Sequence, residues 1–276
     1  MNLTEAFEFT MQYRRSWRNS KSPDTLRARL RLALEALGDV DCEDIVPVHY
    51  SLIESYFEGK KSHATINRVC SVVHTVCNFL YSNRKVSHVA SFQKLDEPVR
   101  KAGYYTEQEI DLLISLCPKV ADGIDLQDSI IFACFLGQRQ ADLLSLTWDR
   151  VDMDNHVVTF TDTKDGTDYS LPFGGLPMVK TMIERRYADR LNDTVFDWED
   201  RHTLLRRFYS LKKAAGMNDD RNWHSLRHTC ATWLLQKGAS VHAAMSVLNH
   251  KTMTTTLRYA EPTNEAKEHA LSIIAK

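Results

Sequence analysis

Residues 223–260 read WHSLRHTCATWLLQKGASVHAAMSVLNHKTMTTTLRYA, and their spacing predicts three short helices. In the first, Leu226, Cys230, Trp233 and Leu234 recur at i, i+4, i+7 and i+8, the stripe of a helix buried along one side. Gly238 ends it, since the residue past a helix end often adopts a left-handed conformation that glycine reaches without steric cost. His224 and Arg227 lie three apart and share a face of the first turn. The second helix covers roughly residues 240–248 and stops at Asn249, the best substitute for glycine in a left-handed cap. His250 follows at once, and the third helix ends near Tyr259. A polar set of His, Arg, His and Tyr is thereby pinned on the ends of packed helices.

Taken singly, each of these residues has an ordinary structural role, the histidines as caps and the tyrosine as a packing ring. Jointly they are more specific. The spacing His224-x-x-Arg227, then His250 just past a helix cap, then Tyr259 nine residues later resembles the C-terminal half of the tyrosine recombinase (phage integrase) catalytic domain.

The resemblance implies partners upstream. In GQRQADLLSLTW, residues 137–148, Arg139 has a glycine two positions before it and Asp142 three after it, the pattern of the family's first arginine. Gln138 stands where an apolar residue is usual, and Asp142 where Glu is commoner, so the shorter carboxylate reaches less far. Beyond Trp148 the period changes toward two. Residues 156–163 and 167–173 flank Asp165-Gly166, a strong hairpin signal. Lys164 sits beside that turn, where the family places a catalytic lysine, although Asp162, Asp165 and Asp168 make the loop acidic.

Length and composition set the frame. The chain has 276 residues, enough for two ordinary domains, with 43% hydrophobic and 26% charged residues, as in globular proteins. No apolar run is long enough to span a bilayer, and MNLTEAFEFT has no basic n-region, so a cytoplasmic location is expected. Cys42, Cys70, Cys77, Cys117, Cys134 and Cys230 form no C-x-x-C pair and read as reduced core residues. The net charge of −1 is not the basic excess common in nucleic-acid binders. It conceals a local excess: Arg14, Arg15, Arg18, Lys21, Arg27, Arg29 and Arg31 face only Asp24 between residues 12 and 31.

Residues 1–95 read as helical. Ser22-Pro23-Asp24 starts a helix carrying Leu26, Leu30, Ala33, Leu34 and Leu37 and closed by Gly38. After Ser62, the stripe Ile66, Val69, Cys70, Val73, Val76, Cys77 and Leu80 leaves Arg68 off the core face. These helices resemble the family's core-binding domain. The expected organisation is a core-binding domain over 1–95, a linker over 96–105 around Pro98 and Gly103, and a catalytic domain over 106–276 with a terminal helix at 263–274. The fold class is mainly α with a small antiparallel β-sheet (α+β). Because basic helices begin near the first residue, no separate arm-binding domain is expected.

The resemblance implies a site-specific DNA recombinase that cleaves and rejoins DNA through a 3′-phosphotyrosyl intermediate. Arg139 and Arg227 would hold the phosphate, with Asp142 supporting Arg139. Tyr259 would attack with His224 as base, His250 would donate to the phosphate, and Lys164 would protonate the leaving 5′-oxygen. Arg14, Arg15, Arg18, Lys21, Arg27, Arg31 and Arg68 are the candidate DNA contacts. The sequence carries no metal-ligand cluster, and the resemblance implies no metal, ATP or other cofactor. The partners implied are double-stranded DNA, a homotetramer on paired sites formed from free monomers, and accessory DNA-bending proteins, with no membrane. Integration or excision of phage or mobile-element DNA is the first function expected. A dimer-resolving recombinase, a cleavage-deficient DNA-binding relative and a type IB topoisomerase stay open as alternatives.

Overall fold

The computed structural model describes residues 1–20, 22–98, 103–161, 167–257 and 259. The chain divides into two compact units, Met1–Val99 and Arg100–Lys276.

The first unit is helical: α1 (Leu3–Tyr13), α2 (Arg15–Arg18), α3 (Pro23–Leu37), α4 (Pro47–Phe57) and α5 (His63–Ser82). Local chemistry sets the ends. The Asn2 and Ser62 side chains accept from the backbone of Glu5 and Thr65, Pro23 starts α3, and Gly38 stops it at φ 71°. The α5 stripe is the centre of this core, with Ile66, Val69, Cys70, Val73, Val76, Cys77 and Leu80 all buried. Within the same stripe the buried amide of Asn67 holds the outgoing chain, donating to the Leu95 carbonyl and Glu97 and accepting from the Leu95 N–H.

The second unit contains α6 (Glu107–Leu116), α7 (Gly123–Phe135), α8 (Gln140–Leu144), then β1 (Val151–Asp152), β2 (Val157–Thr161) and β3 (Asp168–Pro172). Helices α9 (Pro177–Ala188), α10 (Arg201–Ala214), α11 (His224–Gln236), α12 (Val241–Leu248) and α13 (Met253–Leu257) follow. The strands form one antiparallel sheet in the order β1-β2-β3, with Val158 opposite Leu171 and Phe160 opposite Tyr169. Alternation places Val158, Phe160 and Leu171 in the core against Phe132 of α7, while Thr161 and Asp168 face outward. Helix α7 is buried nearly all round, including Asp128, whose carboxylate takes Arg185 at 2.5 Å and Arg186 at 2.7 Å from α9. A buried carboxylate keeps its charge only with such partners.

The linker expected over 96–105 is attached at both ends. Asp96 and Glu97 bond to His63 and Asn67 in the first unit. In the second, Tyr105 is fully buried, and its N–H donates to Thr229 of α11. All six cysteines are buried and free. No helix among the described residues is long and apolar enough to cross a membrane.

Candidate active site on the ends of three helices

Helix α7 gives way at Gly137, where the chain turns at φ 65°. A Cβ at this position would lie 2.6 Å from Leu248 Cδ2 and 2.9 Å from Cys230 Sγ, so both conformation and packing require glycine. The turn delivers Arg139 to the N-cap of α8. The Asp142 carboxylate accepts from the Arg139 backbone N–H at 3.2 Å and lies 3.7 Å from its guanidinium. The short side chain thus caps the helix and touches the arginine only loosely, leaving the Arg139 side chain 41% exposed.

Arg227, on the first turn of α11, is 3% exposed. Its Nη1 donates to the Gly137 carbonyl at 2.7 Å, and its Nη2 donates to the Leu248 carbonyl at the end of α12. These bonds tie α11 to two other segments, the Gly137 turn and the end of α12. Among the described residues no carboxylate pairs with it, and burial together with the charge of Arg139 draws its pKa down to about 10. It stays charged at neutral pH, a buried cation in want of an anion.

Asn249 ends α12 in the left-handed conformation, φ 46° and ψ 50°, and so turns His250 back toward the site. His250 Nδ1 bonds Thr256 Oγ1 at 2.9 Å, and Thr256 is fully buried in α13. The Tyr259 N–H donates to the Thr256 carbonyl, and its ring stacks on His250 at 6.4 Å and 18°. The phenol meets His228 Nδ1 at 2.6 Å. His228 lies one turn after His224 on α11, and the two rings are perpendicular at 4.6 Å. Burial pulls the pKa of His228 and of His250 down to about 4, with neighbouring histidine and arginine charges adding to it. His224 keeps accessible surface, yet close packing and the charges of Arg227 and Arg139 lower its pKa too. The site therefore holds two guanidinium charges, three neutral imidazoles and a phenol. Among the described residues there is no cluster arranged to hold a metal ion.

A model of the phage integrase family matches residues 104–266. The chain belongs to the phage integrase family. The tyrosine recombinase XerA of Saccharolobus solfataricus is 29% identical over 158 residues, which is 55% of this chain and 50% of that one. The chain thus spans about half the length of that curated relative. Among solved structures, the Tn1549 transposon integrase in complex with transposon right end DNA superposes with a TM-score of 0.82 at 17% identity over the whole of both chains. A lambda integrase tetramer bound to a Holliday junction gives 0.80 at 17% identity, over 94% of this chain and 77% of that one. These two likenesses carry the fold: helices with one small antiparallel sheet.

Five of the six residues that resemble the family's catalytic set lie in the described part of this integrase-family fold. Arg227 carries the Arg139 turn, and His224, His250 and Tyr259 gather round His228. Lys164 lies outside the described residues, as do Lys21 and the terminal helix expected at 263–274. The strands leading to Lys164 are well anchored. Tyr169 stacks on Phe160 and donates to Gln138, and Asp168 pairs with Arg150 at 3.0 Å and accepts from Thr161 at 2.6 Å. One of the three hairpin acids is therefore neutralised by an arginine.

His228 escaped the sequence reading, and the partners of Gln138 were not legible in it. His228 makes the contact to the phenol that was expected of His224; its i+4 spacing from His224 was the available signal. Gln138 is buried and donates to the Leu136 and Val247 carbonyls while accepting from Tyr169, so this polar departure stitches β3 to the end of α12. In the first unit Arg15, Arg18, Arg31 and Arg68 are exposed. Arg14 lies over Trp17, and Arg27 approaches Glu8 at 3.9 Å and Asp24 at 3.8 Å, so Asp24 is not its only acidic neighbour.

Proposed function

We propose that this chain is a site-specific tyrosine recombinase of the integrase type, cleaving and rejoining double-stranded DNA through a 3′-phosphotyrosyl intermediate. The observation that carries this is the phenol of Tyr259, held 2.6 Å from His228 and close to the buried guanidinium of Arg227, which has no carboxylate partner among the described residues.

A phosphodiester entering this site supplies the missing anion. Arg139 and Arg227 hold its non-bridging oxygens, and their charge is present at neutral pH and already oriented, so it stabilises the extra negative charge of the pentavalent transition state. Neutral His224 and His250 add N–H donors. Tyr259 attacks phosphorus, and Lys164 supplies a proton to the departing 5′-oxygen. The phosphotyrosyl bond retains the energy of the diester, so a 5′-hydroxyl from another strand reverses the step without ATP. Fixed cations take the part that Mg²⁺ plays in other phosphoryl transfers.

The first unit, with Arg14, Arg15, Arg18, Lys21, Arg27, Arg31 and Arg68, grips the duplex backbone. Removing two phosphate contacts, as in Arg31→Ala with Arg68→Ala, should flatten the log–log salt dependence of binding by about 0.9 per contact. The assembly has four protomers on paired sites, built from monomers with accessory DNA-bending proteins; the likeness to a lambda integrase tetramer bound to a Holliday junction supports the count of four. The work is done in the cytoplasm, on phage or mobile-element DNA.

The test uses a nicked duplex selected by binding from a random-sequence pool. The chain should form a denaturant-resistant adduct with it, and Tyr259→Phe should bind but form none. Binding without any adduct from the unaltered chain would leave a cleavage-deficient DNA-binding relative.

A further inference from the structure

We infer, on the premise that Tyr259 is the nucleophile, that His228 rather than His224 is the catalytic residue that receives the phenol's proton. The phenol oxygen and His228 Nδ1 are 2.6 Å apart, within reach of direct transfer, and the ring centroids are 5.2 Å apart. His224, one turn earlier on α11, meets His228 with the two rings perpendicular at 4.6 Å.

A base must be unprotonated before it acts. His228 is faced by His224 and Arg227 on its own helix, by His250 from the segment after α12, and by Tyr259. Burial and these cationic or protonatable neighbours keep its imidazole neutral in the free protein. A phosphate seated between Arg139 and Arg227 reverses that bias, because its negative charge offsets the guanidinium charges. Proton affinity at His228 rises when the substrate arrives.

The step balances. The Tyr259 O–H bond breaks, its proton moves to His228 Nδ1, the oxygen forms a bond to phosphorus, and the bond from phosphorus to the 5′-oxygen breaks with a proton taken from the general acid. In the reverse direction the imidazolium returns the proton to the leaving phenolate. A phenol has a pKa near 10, so without an acceptor little phenolate exists at neutral pH.

The rate of adduct formation in a single turnover, followed from pH 5 to pH 10 with the full chain, tests this. The duplex is the selected nicked one, with sulfur in place of the 5′-bridging oxygen at the mapped scissile phosphate. Sulfur leaves without a proton, so the pH profile reports only the nucleophile's side. The unaltered chain should show a rate that levels off above the titration of its base. In His228→Asn the side-chain oxygen stands near the position of Nδ1 and keeps the phenol's hydrogen bond and the fold, but it accepts no proton. Its rate at pH 7 should fall by about 10² to 10³ and climb tenfold per pH unit, with DNA binding unchanged. A His228→Asn protein that keeps the unaltered levelling profile would overturn the proposal: with a lowered rate His228 would be a positioning residue, and with an unchanged rate it would have no part in the step. The hydroxide-dependent profile appearing in His224→Asn instead would also overturn it. No adduct from the unaltered chain would instead remove the premise that Tyr259 is the nucleophile.

Discussion

Nη1 of Arg227 donates to the carbonyl of Gly137 at 2.7 Å, so one arginine of the site holds the turn that carries the other. The two therefore differ in what they do for the fold. Arg227→Ala strands two buried carbonyls, those of Gly137 and Leu248, at a cost of about 1–3 kcal/mol, partly offset by removal of an uncompensated charge. Arg139→Ala removes a side chain that is 41% exposed. Both should abolish the adduct, but only Arg227→Ala should lower the thermal midpoint by several degrees. Equal midpoints would mean that Arg227 is not a structural clamp.

Gly137 should be the most sensitive glycine of this site. In Gly137→Ala the new methyl meets Leu248 and Cys230 at 2.6 and 2.9 Å, on a backbone at φ 65°. Left-handed strain of about 1–2 kcal/mol adds to an overpacking cost of about 1–3 kcal/mol. Gly238→Ala, at φ 90° with open space around it, should incur the backbone cost alone. Urea unfolding of the two variants compares them directly, and a smaller loss in Gly137→Ala would refute the packing argument.

Gln138 and Tyr169 should be energetically coupled. Gln138→Leu restores the apolar residue usual in the family but leaves the Tyr169 hydroxyl and the Leu136 carbonyl without this partner. We expect a loss of about 1–3 kcal/mol for that single change. Adding Tyr169→Phe should then cost little more, giving a coupling of about 0.5–3 kcal/mol in a double-mutant cycle. Additive losses would show that the bridge contributes nothing.

The histidines set a pH dependence that bound DNA should oppose. An unfolded histidine titrates near 6.5, whereas His228 and His250 titrate at about 4 in the fold. Between these values the unfolded chain binds more protons, so stability should drop as pH falls from about 6.5 to about 4. A bound phosphate raises the same pKa values, so Tyr259→Phe protein should take up protons on binding duplex in that range. Calorimetry in buffers of different ionisation enthalpy measures the uptake, and His228→Asn should reduce it. Proton release on binding would contradict the charge balance described for the site.

Local rules made much of this molecule legible. Apolar periodicity identified the α5 stripe, and left-handed caps at Gly238 and Asn249 marked where α11 and α12 stop, because both depend on neighbours within a turn or two. The resemblance of their spacing to the family's motif brought His224, Arg227, His250 and Tyr259 into one group. Partner choice was another matter. That the phenol bonds His228, 31 residues away, depends on how Tyr259, beyond α13, comes back to α11. That Gln138 is buried depends on β3 and α12 both reaching it. Lys212, which reads as one more basic residue on α10, is 3% exposed and donates to Asp219 and the Arg221 carbonyl. Periodicity reports which face of a helix leaves water. Which donor meets which acceptor is decided only when distant segments pack, since a buried polar group must take whatever partner that packing supplies.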